Sequence, residues 1–327
     1  MAIVARDHRG GALSSLEHAV TTVLGCVGIA AEKDLLVVTD PACRVIADAL
    51  VQAARDLGAE TVLVEMAERE THGTEPPREV AAAMSACDVL IAPTTKSLSH
   101  TEARHLATEK GIRVATMPGI TEDMLVRTMN ADYEEVARLS DALARALTGG
   151  SEVRVTSAAG TDVIFDVDGR NGIADDGNLT ARGAFGNLPA GEGFVAPVEG
   201  RTNGRIAFDG SMASLGILDE PLVATIEKGY ATGFSGPRAD ELTSLLDRYG
   251  PAAFAVAELG IGTNRAATLT GNILEDEKIL GTIHVAFGDN HSIGGTIRVP
   301  SHQDGVVLDA GVAVDGVAIM DSGRLLI

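Results

Sequence analysis

The sequence predicts two domains of different class: an α/β N-terminal domain with a parallel sheet over residues 1–150, and an α+β, mainly antiparallel C-terminal domain over residues 151–327. Three observations predict this division. Short apolar runs alternate with helical segments in the first part, the pair Gly149-Gly150 ends that pattern, and a period of two follows. Apolar strands separated by helices indicate a parallel sheet covered on both faces, whereas alternation indicates strands with one buried face.

In the first part, each nearly continuous apolar run is followed by a segment with helical spacing. The predicted strands are Leu35–Thr39, Thr61–Glu65, Val89–Ala92 and Ile112–Thr116. The predicted helices are Val45–Leu57, Val80–Met84, His100–Lys110 and Thr121–Leu147, the last with at least one break. No Gly-x-Gly-x-x-Gly motif follows the first strand, so we expect a Rossmann-like scaffold rather than a cofactor domain.

The second part has the alternation of half-buried strands, for example in Glu152–Thr156 and Asp162–Val167. One helix is predicted there, at Asp240–Tyr249. Asp-Gly pairs favour the tight turns of β-hairpins. The three pairs that predict hairpins are Asp168-Gly169, Asp209-Gly210 and Asp315-Gly316. We therefore expect a β-rich, metal-binding catalytic domain, for the reasons given below.

Composition excludes some partners and predicts a location. The formal charge of −20 argues against nucleic acid or an anionic membrane as a partner, because both require a basic surface. The three cysteines, Cys26, Cys43 and Cys87, match no metal motif and predict buried free thiols in a reducing compartment. The N-terminus has no apolar signal core, and no run of about 18 apolar residues occurs, so we expect a cytoplasmic protein.

Three histidines, His284, His291 and His302, fall within 19 residues among several carboxylates. His302-x-Asp304 would place both side chains on one face of a strand, because the strand period is two. A lone histidine in an apolar strand is more often a core residue, but the group as a whole favours a metal site. Glu258 ends an apolar run and is either a solvent-facing strand end or a buried carboxylate with a partner or metal. Imidazole and carboxylate together suit zinc, cobalt, manganese or ferrous iron.

Four segments carry a resemblance to a known family. They are Asn187–Pro197, Glu258–Asn264, His284–Asn290 and His302–Gly305. In this order they resemble the aminopeptidase T/aminopeptidase S family of metallo-aminopeptidases, most clearly over residues 150–315. The resemblance implies a pair of divalent ions, zinc, cobalt or manganese, held by Glu192, Glu258, His284, His302 and Asp304. It also implies a homodimer. That family has a tyrosine where this chain has His291.

The same scaffold also resembles the 2,5-dihydroxypyridine 5,6-dioxygenase family, which implies a mononuclear ferrous enzyme that cleaves a ring. His302-x-Asp304 and Gly294-Gly295 are shared with it. That family uses a histidine where this chain has Glu258, and it lacks the acid and imidazole of Glu192 and His284.

Two enzymatic hypotheses and one other follow. The first is an aminopeptidase-like hydrolase that cleaves a peptide or amide bond with metal-activated water, with Glu258 as bridging ligand and Glu192 and His291 as catalytic groups. The second is an Fe(II) ring-cleaving dioxygenase that uses His302, Asp304 and either His284 or His291. A metal-stabilised binding protein is the third. The expected substrate is a small molecule or a short peptide.

Overall fold

The computed structural model describes residues 15–29 and 33–327. The chain forms two compact units, and each is interrupted in sequence. The first unit consists of Met1–Tyr133 and Gly177–Ala190, and the second of Glu134–Asp176 and Gly191–Ile327. These units differ from the predicted domains 1–150 and 151–327 in two places. The helix after residue 133 belongs to the second unit, and residues 177–190 return to the first.

The first unit contains a five-stranded parallel sheet in the order β2-β1-β3-β4-β8. Its strands are β1 (Asp34–Thr39), β2 (Glu60–Glu65), β3 (Val89–Thr94), β4 (Arg113–Pro118) and β8 (Phe185–Asn187). The middle strands β1 and β3 are buried over nearly their whole length, which explains their continuous apolar sequence. The predicted α/β class with a parallel sheet is confirmed. Strand β8, which pairs with β4 from a distant segment, was not predicted.

Among the described residues, five helices accompany this sheet. They are α1 (Ser15–Cys26), α2 (Arg44–Asp56), α3 (Arg78–Met84), α4 (Glu102–Glu109) and α5 (Glu122–Met129). The starts of α4 and α5 follow from capping side chains, since Thr101 and Thr121 accept hydrogen bonds from backbone N–H groups in the first turns of these helices. The expected break in Thr121–Leu147 lies between the end of α5 and α6 (Tyr133–Gly149).

The second unit contains two antiparallel sheets. The first has eight strands in the order β14-β13-β10-β6-β5-β18-β19-β20. Its strands are β5 (Glu152–Thr156), β6 (Asp162–Asp166), β10 (Asn203–Phe208), β13 (Leu222–Glu227), β14 (Tyr230–Ser235), β18 (Gly311–Val314), β19 (Val317–Asp321) and β20 (Arg324–Leu325). The second has seven strands in the order β12-β11-β17-β16-β15-β9-β7. Its strands are β7 (Ile173–Asp175), β9 (Glu192–Val195), β11 (Ser211–Met212), β12 (Gly216–Ile217), β15 (Val256–Gly262), β16 (Ile283–Gly288) and β17 (His302–Val307).

The predicted mainly antiparallel class of this half is confirmed. Its helices besides α6 are α7 (Ala239–Asp247), which the sequence predicted, and the short α8 (Ile273–Asp276), which it did not. Apolar side chains of both sheets share one hydrophobic core. Phe208 of the eight-stranded sheet meets Phe287 of the seven-stranded sheet edge to face, with ring centroids 6.0 Å apart. One face of the seven-stranded sheet is therefore apolar.

One of the three predicted hairpin turns is confirmed. Asp315 and Gly316 have φ of 47° and 79° and join the paired strands β18 and β19. The predictions for Asp168-Gly169 and Asp209-Gly210 are wrong. These pairs follow β6 and β10 of the eight-stranded sheet, and the next strands, β7 and β11, belong to the seven-stranded sheet. The turns therefore carry the chain from one sheet to the other.

The cysteines are free thiols, as predicted, but only Cys43 is buried, while Cys26 and Cys87 are half-buried. Within residues 15–29 and 33–327, no helix is both long and apolar enough to cross a membrane.

Candidate metal centre

One face of the seven-stranded sheet carries the candidate ligands, and the strand register explains why they meet. Glu258 on β15 lies opposite Ala286 on β16, which lies opposite Asp304 on β17. Directly paired residues project to the same face of a sheet, so these two carboxylates share a face. His284 is two residues from Ala286, and His302 is two residues from Asp304, so both imidazoles point to that face as well.

Glu192 joins the group from the neighbouring strand β9. It pairs with Gly262, which is four residues after Glu258 and therefore lies on the same face. Gly260, between them, leaves the space that the imidazole occupies. A Cβ atom on Gly260 would lie 2.1 Å from Nε2 of His284. The sheet thus brings together all five residues that the resemblance to metallo-aminopeptidases implies.

The side-chain atoms converge closely. Nε2 of His284 lies 3.0 Å from Oε2 of Glu192 and 3.3 Å from Oε1 of Glu258. Nε2 of His302 lies 3.5 Å from Oε2 of Glu258 and 3.5 Å from Oδ2 of Asp304. Glu258 therefore presents one carboxylate oxygen to each imidazole. Of the five residues, four are buried and His302 is half-buried, so the group keeps an accessible side at His302.

The charges in this group require positive partners. Burial alone would lower the pKa of the two imidazoles, but the neighbouring carboxylates raise the pKa of His284 well above its ordinary value and that of His302 to about 10. Burial alone would raise the pKa of Asp304, but the His302 imidazole lowers it to about 2. Without a metal, the imidazoles hold protons because buried carboxylates need a cation beside them.

A divalent ion fits the same place. Ligand atoms about 2.0–2.2 Å from an ion lie roughly 2.8–3.6 Å from one another in tetrahedral or octahedral arrangements. The four distances between imidazole nitrogens and carboxylate oxygens fall in this range. Oε2 of Glu192 is buried without a hydrogen-bond partner, although it faces Nε2 of His284. Glu192, Glu258 and His284 offer donor atoms within 4.8 Å of one another.

The orientation of His302 is fixed from outside the group. Its Nδ1 donates to the backbone carbonyl of Asp289 at 2.8 Å, which directs Nε2 toward the carboxylates. The backbone of Asp289 therefore orients this imidazole. The loop that contains Asp289 is held by Asn290, which donates to Glu199 at 3.1 Å and accepts from the backbone of Ile297 at 2.8 Å.

The structure does not bring His291 into the group. It lies on an exposed 3₁₀ turn, His291–Ile293, and its imidazole contacts the guanidinium of Arg298. Neither its predicted catalytic role nor its alternative role as a ligand gains support from this position. His284 is the histidine that stands with His302 and Asp304.

Lys278 also belongs to this centre, although the sequence did not predict a role for it. Its side chain is 2% exposed, and its Nζ lies 2.6 Å from Oε1 of Glu192, 2.9 Å from Oε1 of Glu277 and 3.3 Å from Oδ2 of Asp175. Burial raises the pKa of Asp175 to about 7 and that of Glu277 to about 8. Burial also opposes the charge of Lys278, but Glu192 and its neighbours raise the lysine pKa well above its ordinary value. In the sequence, Glu277-Lys278 looks like an ordinary charged surface pair, so no local signal marks it.

Comparisons with known proteins bear on the whole chain. The model of the NicX family, described as 2,5-dihydroxypyridine 5,6-dioxygenase, matches residues 15–327. The structure of 2,5-dihydroxypyridine dioxygenase from Pseudomonas putida KT2440 has a TM-score of 0.82 at 19% identity and covers 96% of this chain and 98% of that chain. Wild-type AmpT from Thermus thermophilus has a TM-score of 0.73 at 17% identity and covers 96% of this chain and 99% of that chain.

At these identities, the two structures establish a shared fold. No protein among those with curated descriptions matches this chain. The resemblance to the dioxygenase is confirmed at the level of family and fold, and the resemblance to the aminopeptidases is confirmed at the level of fold.

Proposed function

We propose that this chain, which belongs to the 2,5-dihydroxypyridine 5,6-dioxygenase (NicX) family, is a metal-dependent enzyme that opens a small hydroxylated aromatic ring with dioxygen. The observation that carries the proposal is that His284 and His302 approach the two carboxylate oxygens of Glu258, with Asp304 beside His302. Two histidines and one carboxylate, with further positions left open, are typical of non-haem ferrous oxygenases.

His284, His302 and Asp304 are the proposed ligands, and the carboxylate of Glu258 lies beside the two imidazoles. A ferrous ion held there would supply the redox chemistry through which dioxygen reacts with an aromatic ring. The chain itself would bind the substrate, orient it and accept the proton of its ring hydroxyl. Glu258 is the carboxylate between the two imidazoles and is our choice for accepting the proton of a ring hydroxyl. The Asp289 carbonyl keeps the His302 ring in one orientation throughout.

Burial has a second role in this proposal. Glu192, Glu258 and His284 are buried, so bulk water is excluded from three sides of the proposed site. Exclusion of water protects reactive species and strengthens the electrostatic contacts of the ligands. The half-buried His302 marks the side from which a small planar substrate would enter.

An aminopeptidase-like hydrolase is the second candidate, and a specific observation favours it. Three of the five converging side chains are carboxylates, and Glu258 presents one oxygen to each imidazole, as a bridging ligand between two ions would. In that case Glu192 would take the proton from the attacking water. The dioxygenase family uses a histidine at the position of Glu258, so this residue is where the two candidates differ most.

Metal analysis and two activity assays separate the candidates. Protein purified without chelator, under anaerobic conditions, should contain iron and consume oxygen when given 2,5-dihydroxypyridine or a related hydroxylated ring. Asp304→Asn should abolish oxygen uptake, because an amide oxygen replaces a charged ligand. The exposed control Asp240→Asn should not. Zinc, cobalt or manganese, with cleavage of aminoacyl anilides and no oxygen uptake, would instead establish the hydrolase.

A further inference from the structure

We propose that the ammonium group of Lys278 occupies the position that a second metal ion would take beside Glu192, so that this centre holds one ion. The inference rests on the proposed metal site, and it explains why a chain with the carboxylates of a two-metal hydrolase could belong to a family of mononuclear enzymes. It assigns Lys278 the role of a positioning residue that sets the metal count.

The two carboxylate oxygens of Glu192 contact two different cationic partners. Its Oε2 faces Nε2 of His284 at 3.0 Å, while its Oε1 accepts a hydrogen bond from Nζ of Lys278 at 2.6 Å. In a two-metal site, a carboxylate bridges two ions that are about 3.5–4 Å apart. Here one oxygen points to the proposed metal position, and the other points to an ammonium. Lys278 therefore stands where the second partner of a bridging carboxylate belongs.

The surroundings of Lys278 are those of a cation site. Besides Glu192, carboxylate oxygens of Glu277 and Asp175 lie 2.9 Å and 3.3 Å from Nζ. Asp175 on β7 is directly paired with Glu192 on β9, and like charges directly opposite one another destabilise a sheet. Three carboxylates around one buried position need a cation, and hard divalent ions prefer such oxygen ligands. The lysine supplies that charge from within the chain.

An ammonium and a metal ion cannot share this position. Nζ is in hydrogen-bond contact with Glu192, and the side chain is almost fully buried, so a second ion would have to displace a buried lysine. A buried charge left without its partners is strongly unfavourable. We therefore expect that Lys278 stays in place when the first ion binds, and that Glu192 is unable to hold two ions at once.

The test compares metal counts rather than activity. The wild type, Lys278→Met and the exposed control Lys110→Met are stripped with chelator and dialysed to equilibrium against Mn²⁺ or Zn²⁺. Bound metal is counted by mass spectrometry. The wild type and Lys110→Met should bind one ion per chain, whereas Lys278→Met should bind two. Two Mn²⁺ ions that share Glu192 should also give the exchange-coupled electron paramagnetic resonance signal of a pair, which distinguishes them from an ion bound elsewhere.

Each other outcome has a defined meaning. Two ions in the wild type would overturn the inference but leave the metal site standing. One ion in both the wild type and Lys278→Met would also overturn it, because the lysine would then be only a structural counter-ion. No ion in the wild type would remove the proposed function and the inference together.

Lys278→Met leaves the buried Glu192 and the half-buried Asp175 and Glu277 without a cation and is therefore at risk of failing to fold. Folding that requires added Mn²⁺ or Zn²⁺, with two ions bound, would support the inference. The double variant Lys278→Met/Glu277→Gln, which has one negative charge fewer, provides a second measurement and should also bind two ions. Failure of both variants to fold with excess metal would overturn the inference, since a divalent ion should then replace the ammonium.

Discussion

At the scale of single residues, the proposed ligands depend on one another. Glu258 contacts both imidazoles, and His302 contacts both Glu258 and Asp304. Removing one member leaves a buried charge without its partner, which is costly. The five residues are therefore expected to act as a unit, so that the effects of substituting two of them are not additive.

His302→Ala should remove the bound metal while the fold is kept. The variant loses one of two nitrogen ligands, so we expect less than a tenth of the wild-type metal content after dialysis, with an unchanged circular dichroism spectrum. His291→Ala is the matched control, because His291 is exposed on the neighbouring turn and outside the group. Equal metal loss in both variants would show that His291 is a ligand and that our arrangement is incomplete.

Residue spacing could predict only part of this site. The two-residue spacing of His302 and Asp304 was sufficient to predict that their side chains lie together, because a strand places such residues on one face. Nothing local places Glu192 beside His284, since they meet only because β9 and β16 both flank β15. Glu192 was found through the family resemblance, and Lys278, which that resemblance does not include, was not found at all.

At the scale of elements, β15 and β16 fit together through a glycine. Gly260→Ala places a methyl group 2.1 Å from Nε2 of His284, so the imidazole must turn away from Glu258. Overpacking of this kind costs about 1–3 kcal/mol. We expect a lower melting temperature of the metal-free protein and at least a roughly tenfold weaker metal affinity, since a ligand ring leaves its place.

Gly233→Ala provides the control for this prediction. Gly233 lies in β14 of the same unit, is exposed, and would have no atom within 4 Å of its new methyl group. Its melting temperature and metal affinity should match those of the wild type. If Gly260→Ala also bound metal normally, His284 would not be a ligand.

Element by element, the sequence predicted the first unit well except for α1 and β8. Continuous apolar strands and capped helices are local features, so their positions agree with the structure to within a few residues. The two wrong hairpins have a different origin. Asp-Gly pairs favour a turn, but whether that turn joins paired strands or passes to another sheet depends on tertiary packing.

At the scale of the whole molecule, metal binding should be linked to protons. The pKa of His302 is raised to about 10 and that of His284 is raised well above its ordinary value, so both are charged near neutral pH in the metal-free protein. A ligand imidazole must be neutral, so binding releases these protons. The apparent metal affinity should therefore fall as pH falls, by about tenfold per pH unit for each proton released.

Titrations with a chromophoric chelator at several pH values check this dependence. Calorimetry in buffers of different ionisation enthalpy then counts the protons directly, and two are expected for each ion bound. An affinity that does not vary with pH, after correction for the chelator, would contradict the assignment of both imidazoles. Homodimer formation and a cytoplasmic location remain predictions from the sequence.

The interrupted path of the chain has a consequence for its biosynthesis. The first unit includes Gly177–Ala190, so its sheet is completed by β8 only after the ribosome has passed through some 40 residues of the second unit. Until then β4 exposes a free edge, which is a site for pairing with other nascent chains. A fragment that stops at residue 150 would keep that edge permanently and is expected to aggregate.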